Sequence, residues 1–377
     1  MVGDVWGEGY YHEGPTVSTS STPYDVRVLG LTRYGYAGSS SRDRFYHYQP
    51  YLERQGIDMV IEPLLDDSYI TQLYAGHRAS IAWLAYRYLR RLLKLVECRR
   101  YDLLFVEKEL LVMVPAWFER LLGRLGVPYA VDFDDAVFHN YDLHKNPLVR
   151  RYLGSKIPDV MRNSALVIAG NPYIGEFAEK AGARRVELLP TAVDSGLYSF
   201  SPRRCTDRFT IGWVGSPSTA VHLLPIAETL AELTRSDDMR LVVFGAKDLR
   251  LEGVRLEAPP WSEAAEPGLI HQFDVGIGPA IDAPFERGKC GFKLIKYMSC
   301  GRAVVTTPVG MNRDIVIDGV TGFHADTNAE WTKRLVGLKN DSALTTRMGE
   351  AGRKRVEEKY SLEVNAPRLG ALLRSVL

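Results

Sequence analysis

Residues 209–245 read FTIGWVGSPSTAVHLLPIAETLAELTRSDDMRLVVFG. Phe209 to Gly215 is an apolar, β-rich run that ends in glycine. Ser216-Pro217-Ser218-Thr219 then opens a stretch with helix-like apolar spacing through His222 and Leu230, and Arg240 to Gly245 is apolar again. Strand, helix and strand in so short a span make a βαβ unit, which requires parallel strands. The rhythm continues downstream at Asp274 to Gly278 and Arg302 to Thr306. Upstream it recurs at Val26 to Leu31, Asp102 to Val106, Pro128 to Asp132, Ala165 to Ala169 and Val186 to Leu189. It pauses only at Ser199 to Arg208, where Ser, Pro, Arg, Cys and Thr cluster without periodicity. The reading is two doubly wound α/β domains, 1–204 and 205–361, whose ligands lie beyond the carboxyl ends of the strands.

Composition agrees with two packed cores. The 377 residues are 46% hydrophobic and 25% charged, which excludes a disordered chain. Forty-seven basic residues against forty-six acidic ones give a net charge of +1, so any anion site is local and nucleic acid is not the expected partner. The four cysteines, Cys98, Cys205, Cys290 and Cys300, have neither zinc-site spacing nor the density of a disulfide scaffold. A reducing cytoplasm is the expected location. The start shows no basic and apolar leader, and no apolar run reaches the roughly 18 residues of a membrane span, although the protein could lie on a membrane.

The loops that follow strands hold the candidate chemistry. After Val28 to Leu31 comes Thr32-Arg33-Tyr34-Gly35-Tyr36-Ala37-Gly38-Ser39-Ser40-Ser41-Arg42, then a helix to about Gln55. Gly38 and Ser39 could present N–H groups and hydroxyls to a phosphate, or a serine could simply cap the helix. Gly215, Ser216, Ser218 and Thr219 repeat the device in the second half. In Pro284 to Met298 a helix beginning near Lys289 would align Lys289, Lys293 and Lys296 within about 60° of one another. Three ammonium groups on one stripe repel unless an anion lies between them, so this stripe is read as a phosphate site ahead of the plain alternative, a solvated basic face. Asp132-Phe133-Asp134-Asp135 ends another strand, where carboxylates could bind a metal, act as acid and base, accept from sugar hydroxyls, or serve structure alone. Glu107, Lys108 and Glu109 invite the same two-sided reading.

Residues 78–100 make a basic amphipathic helix. Ile81, Leu84, Tyr88, Leu92 and Leu95 share one face, and Arg87, Arg90, Arg91 and Lys94 form an adjoining stripe. The plain reading is a solvated helix side, and the sharper one is peripheral contact with anionic lipid or an acidic acceptor.

These stretches together resemble the retaining nucleotide-sugar glycosyltransferases of the GT-B fold, family 4 or group 1. The carriers are Ser39 to Tyr46, Val131 to Asp135, Ile211 to Pro217 and Arg287 to Met298, continued by Pro308-Val309-Gly310 and Asp318 to Phe323. The resemblance implies two Rossmann-like domains facing a cleft, with the acceptor on the first, the donor on the second, and a C-terminal helix, 362–377, crossing back onto the first. It places Gly38, Ser39, Gly215, Ser216, Ser218 and Thr219 near the donor diphosphate, Lys289 and Lys293 under it, and Trp261 at the nucleobase. Asp134 and Asp135 fall where the family contacts the transferred sugar. The donor would be a UDP or GDP sugar and the acceptor a glycan, a lipid-linked sugar or a small natural product. Neither cofactor nor metal is expected.

Two departures stand out. The family's paired glutamates, eight apart, fall here on Gly288 and Lys296, with Glu286 two residues early, and Lys296 cannot accept a hydrogen bond from ribose. The usual Arg and Lys of the second-domain phosphate loop are also absent, leaving Ser216 and the Val221-His222 neighbourhood. Lys289 and Lys293 would then stabilise the leaving diphosphate. A GT-B epimerase or phosphorylase, a non-catalytic sugar-nucleotide binder and a nicotinamide oxidoreductase are the rival readings. The last of these lacks a clean GxGxxG.

Overall fold

The computed structural model describes residues 24–203, 207–260 and 262–377. They form two six-stranded sheets, each parallel throughout. The first contains β1 (Val26–Tyr34), β2 (Ile57–Leu65), β3 (Leu103–Glu107), β4 (Tyr129–Phe133), β5 (Leu166–Ala169) and β6 (Val186–Leu188), in the order β2-β1-β3-β4-β5-β6. The second contains β7 (Phe209–Val214), β8 (Met239–Phe244), β9 (Leu256–Glu257), β10 (Val275–Gly278), β11 (Ala303–Thr306) and β12 (Gly322–His324), in the order β12-β11-β10-β7-β8-β9. Central strands such as β3, β4 and β5 are buried along their whole length, as helices on both faces of a parallel sheet require. The strand order reverses between β1 and β3 in one sheet and between β7 and β10 in the other, which marks the two crevices where ligands bind in such folds.

Several local expectations change. Strand β2 is absent from the sequence reading because Asp58, Glu62 and Pro63 dilute its apolar pattern; an edge strand tolerates all three. The expected helix after β1 breaks into a short turn at Ser39–Ser41, a π-helical turn at Arg42–Tyr46 and a helix at Gln49–Glu53 that carries Pro50 in its first turn. Its cap is Gly38, with no serine side chain capping it. After β7 the chain runs as a 3-10 helix, Pro217–Ile226, with Pro225 inside it, and becomes α-helical only at Ala227–Leu233. The Ser216 hydroxyl makes no cap bond there.

Within 78–100 the α-helix is Ile81–Val96, started by Ser80, whose Oγ accepts from the Trp83 N–H at 3.2 Å. The expected basic stripe divides. Arg87 is buried and donates to the Leu64 and Pro63 carbonyls, and Arg91 is buried on the Thr32 and Glu62 carbonyls. These two arginines satisfy carbonyls at the ends of β1 and β2 instead of facing solvent.

The expected change of domain at 204/205 lies outside the described residues; upstream of it, Val193 and Tyr198 already pack in the core of the second sheet. Ser342–Lys359 lies on that sheet, and the next helix, Leu362–Arg374, returns to the first. Its Leu362, Ala366, Leu369 and Leu373 join Val28, Phe45 and Phe105 in the first domain's core. Backbone bonds between Val193 and Tyr360 and between Leu362 and Val193 pin the crossing.

Candidate functional site

Each crevice is built from the residues directly after its strands. On the first sheet Lys108 follows β3 with φ +64, an uncommon value for a side chain with a Cβ. That backbone turns its ammonium inward, 2.8 Å from Ser40 Oγ and 2.8 Å from Asp134 Oδ1, and Ser40 donates to Asp134 Oδ2 at 2.5 Å. Three buried or half-buried groups thus form a closed ring. Ser41 donates to Glu107 Oε2 at 2.5 Å, which fixes the next turn. Ser39 is left exposed beside Gly38 at the mouth.

The two adjacent aspartates are driven apart. Burial works to raise Asp134, but the charge of Lys108 and the hydrogen bonds from Lys108 and Ser40 hold it below its usual range. Asp135 lacks such partners, and burial together with the Asp134 charge pushes it up to about 7, against the pull of Lys108 and of Lys289 from the second domain. Near neutral pH Asp134 therefore stays ionised while Asp135 is the carboxyl of the pair that gains a proton. Asp132 takes no part: it is bound by Arg44, whose Nε donates at 2.9 Å, in a buried structural pair. Glu109 is likewise consumed by Arg33, Lys156 and Tyr141.

On the second sheet the expected lysine stripe is rearranged. The helix is Phe292–Ser299, entered through Gly291 at φ +63, and Lys289 sits in the turn before it. Lys289 pairs with Glu286 at 2.6 Å, and Lys296 pairs with Glu266 at 2.7 Å while lying over the Phe292 and Tyr198 rings. Tyr198 also donates to Glu266 Oε1 at 2.9 Å. A carboxylate three residues earlier and one from a separate helix therefore neutralise two of the three lysines.

Lys293 is different. Its ammonium lies 4.5 Å from the centre of the Trp213 ring and has no ion-pair partner among the described residues. Burial lowers its pKa to about 7, with repulsion from Lys289 and Lys296 added and the charge of Glu286 opposing. Lys293 is thus a partly buried amine stacked on an indole face, with Glu286 the one carboxylate whose charge favours its protonated form.

Around it stand Gly215 and the hydroxyl cluster. Ser216 Oγ is 2.8 Å from Ser218 Oγ, and Thr219 Oγ1 donates to the Ser216 carbonyl at 3.0 Å. Ser216 to Thr219 turn their hydroxyls on one another, so an incoming ligand would have to rearrange them. His222 Nδ1 accepts from the Ile281 N–H at 3.3 Å, which leaves the proton on Nε2 to donate to Glu286 Oε2 at 3.2 Å. Although burial opposes it, the hydrogen bonds from His222 and Lys289 keep Glu286 below its ordinary pKa. Trp261 lies outside the described residues.

The two crevices face each other. Asn171 Nδ2 donates to the Gly288 carbonyl at 2.8 Å, and a Cβ on Gly288 would collide with Ala136. Arg42 reaches Glu263 at 3.0 Å, and burial raises the Asp43 pKa to about 6 against the pull of Lys296 from the second domain. Beside the Gly288 contact a cleft of about 500 Å³ opens between the ends of β5 and β11, lined by Asn171, Tyr173, Arg287 and Arg313 among others. Lys108 is legible from sequence only together with Glu107 and Glu109, since its inward turn depends on its backbone; Glu266 is not singled out there, and Asp43 enters only as part of Ser39 to Tyr46.

Comparison with known proteins places this geometry. Residues 208–341 match the family model described as "Glycosyl transferases group 1". Sucrose synthase 2 of Hordeum vulgare is 31% identical over 111 residues, 28% of this chain and 14% of the relative. Sucrose synthase of Melioribacter roseus is 32% identical over 90 residues, 22% of this chain and 11% of the relative. The similarity thus spans a small part of those relatives. Among solved structures, Anabaena HepE in complex with UDP superposes with a TM-score of 0.69 at 16% identity, covering 93% of this chain and 100% of that one. Sucrose-phosphate synthase of Thermosynechococcus elongatus gives 0.69 at 14% identity, covering 93% and 99%. The chain therefore has the two-domain architecture of GT-B glycosyltransferases, with a group 1 glycosyltransferase match in its second domain.

Proposed function

We propose that this protein is a glycosyltransferase that moves a sugar from a nucleoside diphosphate, held by the second domain, to an acceptor hydroxyl presented at the first. The observation that carries the reading is Lys293, an ammonium over the Trp213 ring with no ion-pair partner among the described residues, on the helix that follows β10 at the switch point of the second sheet. A diphosphate supplies the charge this site lacks. UDP is the favoured nucleotide, because solved neighbours of the same fold were captured with UDP and with UDP-glucose.

As the bond from sugar to phosphate breaks, negative charge grows on the departing diphosphate, and Lys293 stabilises that charge more in the transition state than in the ground state. Lys289 is held by Glu286 within the field of Asp135, so it is placed to follow the phosphate or the sugar as the charge moves. Asp134, kept ionised by Lys108 and Ser40, orients sugar hydroxyls, and Asp135 donates its proton in a hydrogen bond. Neither aspartate serves as a nucleophile. Transfer with retention of configuration, with leaving phosphate as base and without a metal, follows from the resemblance to family 4. Lys296, locked to Glu266, takes no part in binding phosphate.

Incubation of the purified chain with UDP-sugars and a panel of acceptors, with anomeric analysis of the product by NMR, tests this reading. The expected product keeps the donor's anomeric configuration, and Lys293→Ala lowers turnover by about 10² to 10³. Binding of UDP-sugars with neither transfer nor hydrolysis on any acceptor would favour the non-catalytic reading.

A further inference from the structure

The helix Ile81–Val96 is apolar on two sides. Its inner side, with Leu84, Tyr88, Leu92 and Leu95, packs on the first sheet beside Leu122 and Phe118 of the helix Trp117–Arg124. Its outer side should then be polar, yet Ile81 is 86% exposed, Leu93 60% and Val96 78%, with Leu89 between them. At 100° per residue these four span about 120°, so they form one stripe. The helix Trp117–Arg124 also exposes Trp117, at 62%, and Leu121. Single exposed leucines are ordinary, but four exposed apolar side chains on one stripe of a helix mark an interaction surface.

The charges around this face identify its partner. The exposed charged side chains on these two helices are arginines: Arg90, paired with Glu62 at 3.4 Å, Arg120, paired with Asp159 at 2.5 Å, and Arg124, with no carboxylate partner among the described residues. Glu119 is buried, and Lys94 is only partly exposed. Two copies pressed together through this face would bring like charges opposite one another. A surface of negative charge over hydrocarbon suits both components, because the arginines meet headgroups while Leu, Ile, Val and Trp enter the acyl boundary. No helix among the described residues is long and apolar enough to cross a membrane, so contact would be lateral. The helix Ile81–Val96 connects β2 to the parallel β3, so its Ile81 end lies at the sheet's carboxyl edge, as does the Trp117 start of the next helix. That is the edge bearing Lys108 and Asp134.

We propose that the outer face of Ile81–Val96 and Trp117–Arg124 docks on an anionic phospholipid bilayer, with the crevice of the first domain opening beside the membrane. This differs from the basic stripe read in the sequence, since Arg87 and Arg91 are buried and apolar side chains supply the contact. The proposal is independent of the reaction.

Co-sedimentation of the full chain tests it, comparing phosphatidylcholine vesicles with vesicles carrying about one third phosphatidylglycerol. The full chain should bind the anionic vesicles and leave neutral ones largely in the supernatant. Leu89→Glu combined with Leu93→Glu should weaken that binding by about tenfold or more without changing the thermal melt, since both positions are exposed. Leu224→Glu, an exposed leucine on the second domain, should bind as the unchanged chain does. Absence of binding to anionic vesicles, equal binding by the double variant, or light scattering that shows a dimer split by that variant would each overturn the proposal.

Discussion

Lys293 makes a pH dependence that can be worked out in sign. In the free protein it titrates near 7, and a diphosphate beside it raises its pKa in the complex. Affinity for a UDP-sugar, whose diphosphate keeps its charge across this range, is therefore greatest below pH 7. It falls by up to about tenfold per unit as pH rises from 7 towards the pKa of the complex. Titration calorimetry in buffers of different ionisation enthalpy should show proton uptake on binding near pH 8, and Lys293→Gln should abolish it. Lys108 acts differently, since it is the partner of Asp134 and also lies near Glu107. Lys108→Met leaves carboxylates buried without their cation, and a loss of about 3 to 5 kcal/mol is expected from urea unfolding. Spacing grouped Lys289, Lys293 and Lys296 as one stripe and did not separate Lys293 from the other two. The neutralisation of Lys289 and Lys296 was not legible, because Glu266 is remote in sequence and Glu286 meets Lys289 across a turn that periodicity does not describe.

At the scale of elements, alternation of apolar runs and helical spacing was enough to place the inner strands of both sheets. It failed where local chemistry competes with the pattern. Pro50 and Pro225 interrupt expected helices, and the mixed composition of β2 suits an edge strand that periodicity does not flag. For the helix Ile81–Val96 the face of Leu84, Tyr88, Leu92 and Leu95 was read correctly, but Ile81 is exposed, and Arg87 and Arg91 are buried because their use as carbonyl partners depends on where β1 and β2 end. The C-terminal helix carries a direct test of its own. Leu369 is 1% exposed and packs with the core of the first domain, although its chain segment follows the second. Leu369→Ala should destabilise the first domain by about 2 to 5 kcal/mol, read as an earlier loss of its signal in chemical unfolding. UDP affinity of the second domain should change little.

For the whole molecule, function depends on two crevices meeting. Asn171 holds the Gly288 carbonyl, Arg42 holds Glu263, and Ala136 leaves no room for a side chain at Gly288. Gly288→Val should wedge the domains apart. Nucleotide binding should persist and turnover should fall by about 10² or more, because the acceptor and the sugar no longer share one geometry. Equal losses in binding and turnover would instead assign Gly288 to the nucleotide site. The most direct test of the account is a crystal structure of the chain with UDP bound. It should place diphosphate oxygens within hydrogen-bonding reach of Lys293 Nζ, between Gly215 and the start of the Phe292–Ser299 helix. A nucleotide bound elsewhere, or a Lys293 ammonium that still faces only Trp213 in the complex, would contradict it.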